Sequence, residues 1–144
     1  MKHFLLLIAF LGSTSFKSFA EPPCNKGIWK ATQLTYPSMA RLAQIQGEIR
    51  LKLEVAADGE IISVSTTAGP DALTAIATKE IRAWRYASGG QRCNVPLAIH
   101  YSLEKPLTSG APVARVEINT PFDITVTSNY PLPTGNPETM RPKK

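Results

Sequence analysis

From Gly47 to Val55 the chain reads GEIRLKLEV, and its side chains alternate without a break. Ile49, Leu51, Leu53 and Val55 point one way, while Glu48, Arg50, Lys52 and Glu54 point the other. A period of two with one apolar face defines a half-buried strand, which needs a hydrophobic layer on one side only. Asp58-Gly59 follows, a pair that tolerates positive φ. The chain from Glu60 to Thr67 is therefore predicted to return as the second strand of a hairpin, with Ile62, Val64 and Thr66 on its inner face.

Two helical patterns supply the cover. Pro37 suits a first helical turn, since it lacks only an amide that would go unpaired there. Ala40, Leu42, Ala43 and Ile45 give that helix an apolar side, and Gly47 is its expected stop. In AGPDALTAIATKEIRAWRYASGG, Asp71 is the expected N-cap. Leu73, Ile76, Ala77, Ile81 and Trp84 recur at helical spacing, and Gly89-Gly90 end the pattern. Next comes a third strand, VPLAIHYSLE, with Leu97, Ile99, Tyr101 and Leu103 inward.

The expected fold is α+β: two helices packed on one face of a three-stranded antiparallel sheet, in the order 2-1-3. The third strand then lies at an edge. GIWKATQL reads as a short edge strand, and VARVEINTPFDITVTS offers two further strand-like runs. Residues 1–20 read as a signal peptide, 21–34 as an N-terminal segment and 35–106 as the domain. Residues 107–128 read as an extra hairpin, and 129–144 as a disordered, proline-rich basic tail. The run from Val113 to Thr127 leaves two arrangements open: the third strand keeps a free edge, or this run folds back and caps it.

Lys2, the apolar run Phe4 to Leu11, and the small residues Ser18 and Ala20 fit a signal cleaved after Ala20. That run is shorter than the roughly 20 residues of a membrane span. Export to the periplasm, or secretion, is expected. Cys24 and Cys93 are the only cysteines, and an oxidising compartment favours one disulfide between them over two buried thiols. Losing Lys2 and Lys17 takes the formal charge from +5 to +3, and Arg141, Lys143 and Lys144 account for that remainder. The folded part carries no basic stripe for nucleic acid.

Catalytic groups are scarce. His100 is the only histidine after the signal, on the outward side of its strand. One histidine beside two cross-linked cysteines makes no zinc site, and no nucleophile motif accompanies it. Gly89-Gly90 lacks the Lys-Ser/Thr of a phosphate loop. No catalytic residue, metal or cofactor is expected.

In order and spacing, these residues resemble the TonB C-terminal domain family. Tyr36-Pro37 opens the first helix, followed by Ala40 and by Gln44-Ile45-Gln46-Gly47, where the family often has Gly-x-x-Gly. Asp58-Gly59 takes the hairpin turn, Leu73, Ala77, Ile81, Arg82 and Trp84 the second helix, and Trp84-Arg85-Tyr86 stands for the family's Trp-Arg-Phe. The likeness runs from Thr35 to Lys105. Gln44 for a glycine, Thr74 for a frequent Asp, and Ala87-Ser88 without a nearby proline depart from the pattern. A cleaved signal close to the domain also replaces the family's membrane helix and proline-rich spacer. The resemblance implies a non-catalytic module that binds an extended protein segment by edge-strand addition, such as the N-terminal box of an outer-membrane transporter. Its surface would be the third strand: Asn94, Val95, Leu97, Ile99, Tyr101 and Leu103, with Arg92 at the rim. Strand exchange into homodimers is a further family habit. A periplasmic or secreted inhibitor or accessory factor on the same scaffold is the alternative.

Overall fold

The structure, a computed structural model, describes Cys24, residues 27–105 and residues 114–131, with Trp29 by its backbone alone. The signal peptide and most of the proline-rich tail lie outside these residues. The elements run β1 (Ile28–Lys30), α1 (Ser38–Leu42), β2 (Gly47–Val55), β3 (Ile61–Ala68), α2 (Asp71–Ile81), β4 (Arg85–Tyr86), β5 (Cys93–Glu104), β6 (Arg115–Thr120) and β7 (Asp123–Asn129).

The expected three-stranded antiparallel sheet is corrected. The main sheet has five strands in the order β3-β2-β5-β7-β6, and it is mixed, because β7 runs parallel to β5. β2 pairs antiparallel with both β3 and β5, and β6 with β7. A separate two-stranded ribbon joins β1 to β4. The enlargement has a physical cause in β7, where Ile124 and Val126 alternate with polar residues and are fully buried. Stopping at three strands would have left the apolar side of β5 open along that flank. Fully burying two such side chains contributes roughly 1.5–3 kcal/mol each.

One face of this sheet carries the core. Ile49, Leu51, Leu53 and Val55 from β2 meet Val95, Leu97, Ile99 and Tyr101 from β5, all buried. Ala40, Leu73, Ala77, Ile81, Trp84 and Tyr86 close over them. Tyr36 sets its ring edge-on to Tyr101, centroids 5.3 Å apart, and donates its hydroxyl to the Ile45 carbonyl at 2.7 Å. Burial pushes the Tyr36 hydroxyl up to about 12. Both helices are short. α1 stops at Leu42, before Gly47, because Gln44 turns the chain at φ 56°.

α2 ends at Ile81, earlier than the apolar spacing suggested. The Trp84 amide bonds the Ile81 carbonyl at 2.9 Å in a tightened last turn, and the Tyr86 amide then reaches the Gly59 carbonyl at 3.0 Å. Trp84 is wholly buried, yet it follows the helix instead of belonging to it. Pro70 precedes the first turn of α2, so Asp71 lies inside that turn, where a carboxylate complements the helix dipole. In β3 a register shift opposite Glu54 and Val55 turns Ile61 into the core and leaves Ile62 47% exposed, reversing the expected inward Ile62.

Cys24 and Cys93 form a disulfide, and the Cys24 amide also donates to the Asn94 carbonyl at 2.9 Å. Closing a loop of about 70 residues contributes about 4 kcal/mol in the chain-entropy account. Replacing both cysteines by serine is expected to lower unfolding stability by about 2–4 kcal/mol in urea titrations. Gln44→Gly is expected to act oppositely, raising stability by up to about 1 kcal/mol, because a side chain at positive φ is strained.

Candidate functional site

The peptide groups of β5 alternate between its two neighbours. Ala98 donates its amide to the Phe122 carbonyl at 2.8 Å, and Tyr130 donates to the Glu104 carbonyl at 3.0 Å. Even-numbered groups of β5 therefore face β7, and odd-numbered groups face β2. From Ala98 to Tyr101 both flanks are paired in ladders; β7 continues to Glu104, and on the other flank the Leu103 amide donates to Gln46 Oε1 at 2.7 Å. Upstream, the Asn94 carbonyl accepts from Cys24, and Pro96 has no amide to offer. A proline is tolerated in this inner strand because its nitrogen points to the short stretch where β7 has not yet begun.

This arrangement corrects the expectation that the third strand forms an edge. Val95, Leu97, Ile99 and Tyr101 are brought together, but inside the core and beyond reach of a partner. Leu103 is half-buried. Arg92 is exposed beside the Glu54 carboxylate, and Asn94 is half-buried. The second arrangement of the C-terminal run, folding back on the third strand, is the one found.

Among the described residues, the free flanks lie at the ends of the sheet, on β3 and β6. In β6 the pairs Arg115–Thr127 and Glu117–Thr125 face each other across the ladder to β7. The same alternation turns the peptide groups of Val116 and Ile118 outward. β6 is mostly exposed, with Ile118 at 51%, and it carries Arg115, Glu117 and Asn119.

The sheet face opposite the helices forms an open groove of about 570 Å³, with Pro96, Ala98 and Phe122 on its floor and Arg50, Lys52 and His100 beside them. His100 sits between two carboxylates, Nδ1 3.5 Å from Glu48 Oε2 and Nε2 3.4 Å from Asp123 Oδ2. Sequence reasoning placed His100 outward but missed this pairing. Glu48 was readable from the alternation of β2, whereas Asp123 required knowledge of the parallel β5–β7 register. Among the described residues no group of three or more His, Cys, Asp or Glu side chains is arranged to hold a metal ion.

The fold is thus an open mixed sheet with helices on one face, and among the described residues no further strand covers its two end strands. The family described as the Gram-negative bacterial TonB protein C-terminal matches residues 32–104. The chain belongs to that family, whose members are non-catalytic interaction modules of the cell envelope. No curated protein matches the chain. Among the described residues no helix is long and apolar enough to cross a membrane.

The Asp123 carboxyl is held below the ordinary carboxylate range, chiefly by the Asn119 side-chain amide at 3.0 Å and secondarily by His100. A lowered folded pKa stabilises fully above the unfolded pKa, and that contribution disappears as pH falls through the folded one. Urea midpoints of the wild type and Asn119→Ala are therefore expected to differ most near neutrality and to converge in strong acid. A gap that stays constant with pH would count against this assignment.

Proposed function

We propose that the chain is a periplasmic protein-binding module of TonB-type envelope transport, holding an extended partner segment by main-chain pairing at a sheet edge. Family membership supports the class of partner, the N-terminal box of an outer-membrane transporter being the type the resemblance implies. The observation that carries the mode is the occupied flank of β5. With Ala98 to Glu104 already paired to β7, an incoming strand finds open valences one hairpin further out, on β6. β6 also has the side chains a selective edge needs. Main-chain bonds hold any strand, while Arg115, Glu117 and Asn119 discriminate among them. Arg92 and Leu103, expected contacts on β5, have no direct part in this reading.

Pull-down from envelope extract tests it. Ile118→Pro deletes an amide that points away from β7, so the fold is expected to survive. The variant should recover the specific partner at least tenfold less than the wild type, with a melting temperature within a few degrees. Equal recovery by both proteins would remove β6 from the reading.

A further inference from the structure

The opposite edge of the sheet has a different character. β3 reads IISVSTTA, eight residues without a charge or a proline and rich in β-branched side chains. Apart from buried Ile61 and half-buried Val64, the strand is exposed. Natural edge strands are ordinarily guarded by charges, prolines or very short length, because an unguarded edge pairs with other chains. β6 carries two charges; β3 carries none. Its register shifts against β2, at Arg50–Leu51 and Glu54–Val55, lie toward the two ends and leave the middle regular.

The direction of the free groups follows from the ladder. Odd-numbered peptide groups of β2 face β5, so its even-numbered groups face β3, where Lys52 pairs with Ser65 and Glu54 with Ser63. The Ala56 amide, bonded to the Glu60 carbonyl at 2.8 Å, follows the same alternation. The peptide groups of Val64 and Thr66 are then left pointing away from the sheet.

We propose that β3 is a self-association edge: two copies of the chain pair their β3 strands antiparallel about a two-fold axis at Ser65. In that register Val64 of one copy lies opposite Thr66 of the other, and the outward N–H and C=O groups of each meet their complements. Four main-chain hydrogen bonds form around the axis. Ser63 falls opposite Thr67, and Ser65 opposite its own copy, so hydroxyls face hydroxyls on one side of the ribbon. Val64 beside Thr66 packs β-branched side chains on the helix side. No like charges meet across the strand, which is what a self-complementary edge requires and what β6, with Arg115 and Glu117, meets only in selected registers. The result is a continuous sheet through two protomers, with both β6 edges left outermost for partners. A segment of another protein could use the same bonds, but the charge-free, β-branched sequence of β3 is its own best complement.

Analytical ultracentrifugation of the purified chain is expected to show a monomer–dimer equilibrium with Kd of about 10–100 µM, in keeping with a small interface. Thr66→Pro removes an amide that β2 does not use, and Ser65→Lys places two ammonium groups across the axis. Each should shift the equilibrium at least tenfold toward monomer, and the second keeps the test valid if the first unfolds the strand. Ser65 occupies a non-hydrogen-bonded pair about the axis, where Cα atoms lie about 4.5 Å apart, within reach of a disulfide. Diamide, taking up two electrons and two protons, should therefore cross-link Ser65→Cys into dimers. Ser63→Cys, whose copies would be about 13 Å apart, should remain monomeric. A wild type that stays monomeric at about 0.5 mM overturns the proposal. So does dimerisation unaffected by Ser65→Lys, equal cross-linking of both cysteine variants, or capture of a different envelope protein at Ser65→Cys in place of the second copy.

Discussion

A strand has polar groups on two flanks, and every group removed from water must find a partner. In this protein that demand centres on β5. Its odd-numbered groups go to β2 along nearly the whole strand, and its even-numbered groups go to β7 from Ala98 onward. Before Ala98, where β7 has not begun, the Cys24 amide takes one carbonyl and a proline removes one donor. The disulfide fixes Cys24 beside this gap. β7, the disulfide and Pro96 thus answer the same constraint in three chemical ways.

Satisfying β5 internally moves the open valences to the two ends of the sheet, and these differ. β6 offers charge and amide side chains beside its free groups; β3 offers only hydroxyl and aliphatic ones. Between them the uncovered face carries an ion pair along β2, Arg50 with Glu48, and the His100 ring of β5 lies between Glu48 of β2 and Asp123 of β7. Such exposed pairs contribute little individually to stability. Their effect is to leave Lys52 as a charge on that face with no carboxylate partner among the described residues.

The inner set of β2 was legible from alternation alone, because a one-residue slip would have exposed all four of Ile49, Leu51, Leu53 and Val55. The turn at Asp58-Gly59 was legible for a similarly local reason. The neighbour of β5 was not. Alternation in Phe122, Ile124 and Val126 shows that the segment is extended, but the pairing of Ala98 with Asp123 is a long-range contact that no local pattern encodes. Trp84 misled in another way: it continued the spacing of Leu73, Ala77 and Ile81, although the Tyr86 amide, claimed by Gly59, pulls the following residues into an extended ribbon. The candidate binding surface on β5 rested on an open edge, and that flank pairs with β7 from Ala98 onward. Gln44 is more instructive, since its departure from a family glycine coincides with a backbone angle that favours glycine.

The hairpin tip at Gly59 has a consequence for anyone who would alter the chain. A Cβ atom built on this residue would stand 2.1 Å from the Tyr86 carbonyl oxygen, and φ is +90°. Hairpin tips are usually where peptide tags and inserted domains are best tolerated. Here the tip is a rivet between the main sheet and the small ribbon, so an epitope spliced at Asp58-Gly59 would loosen both at once.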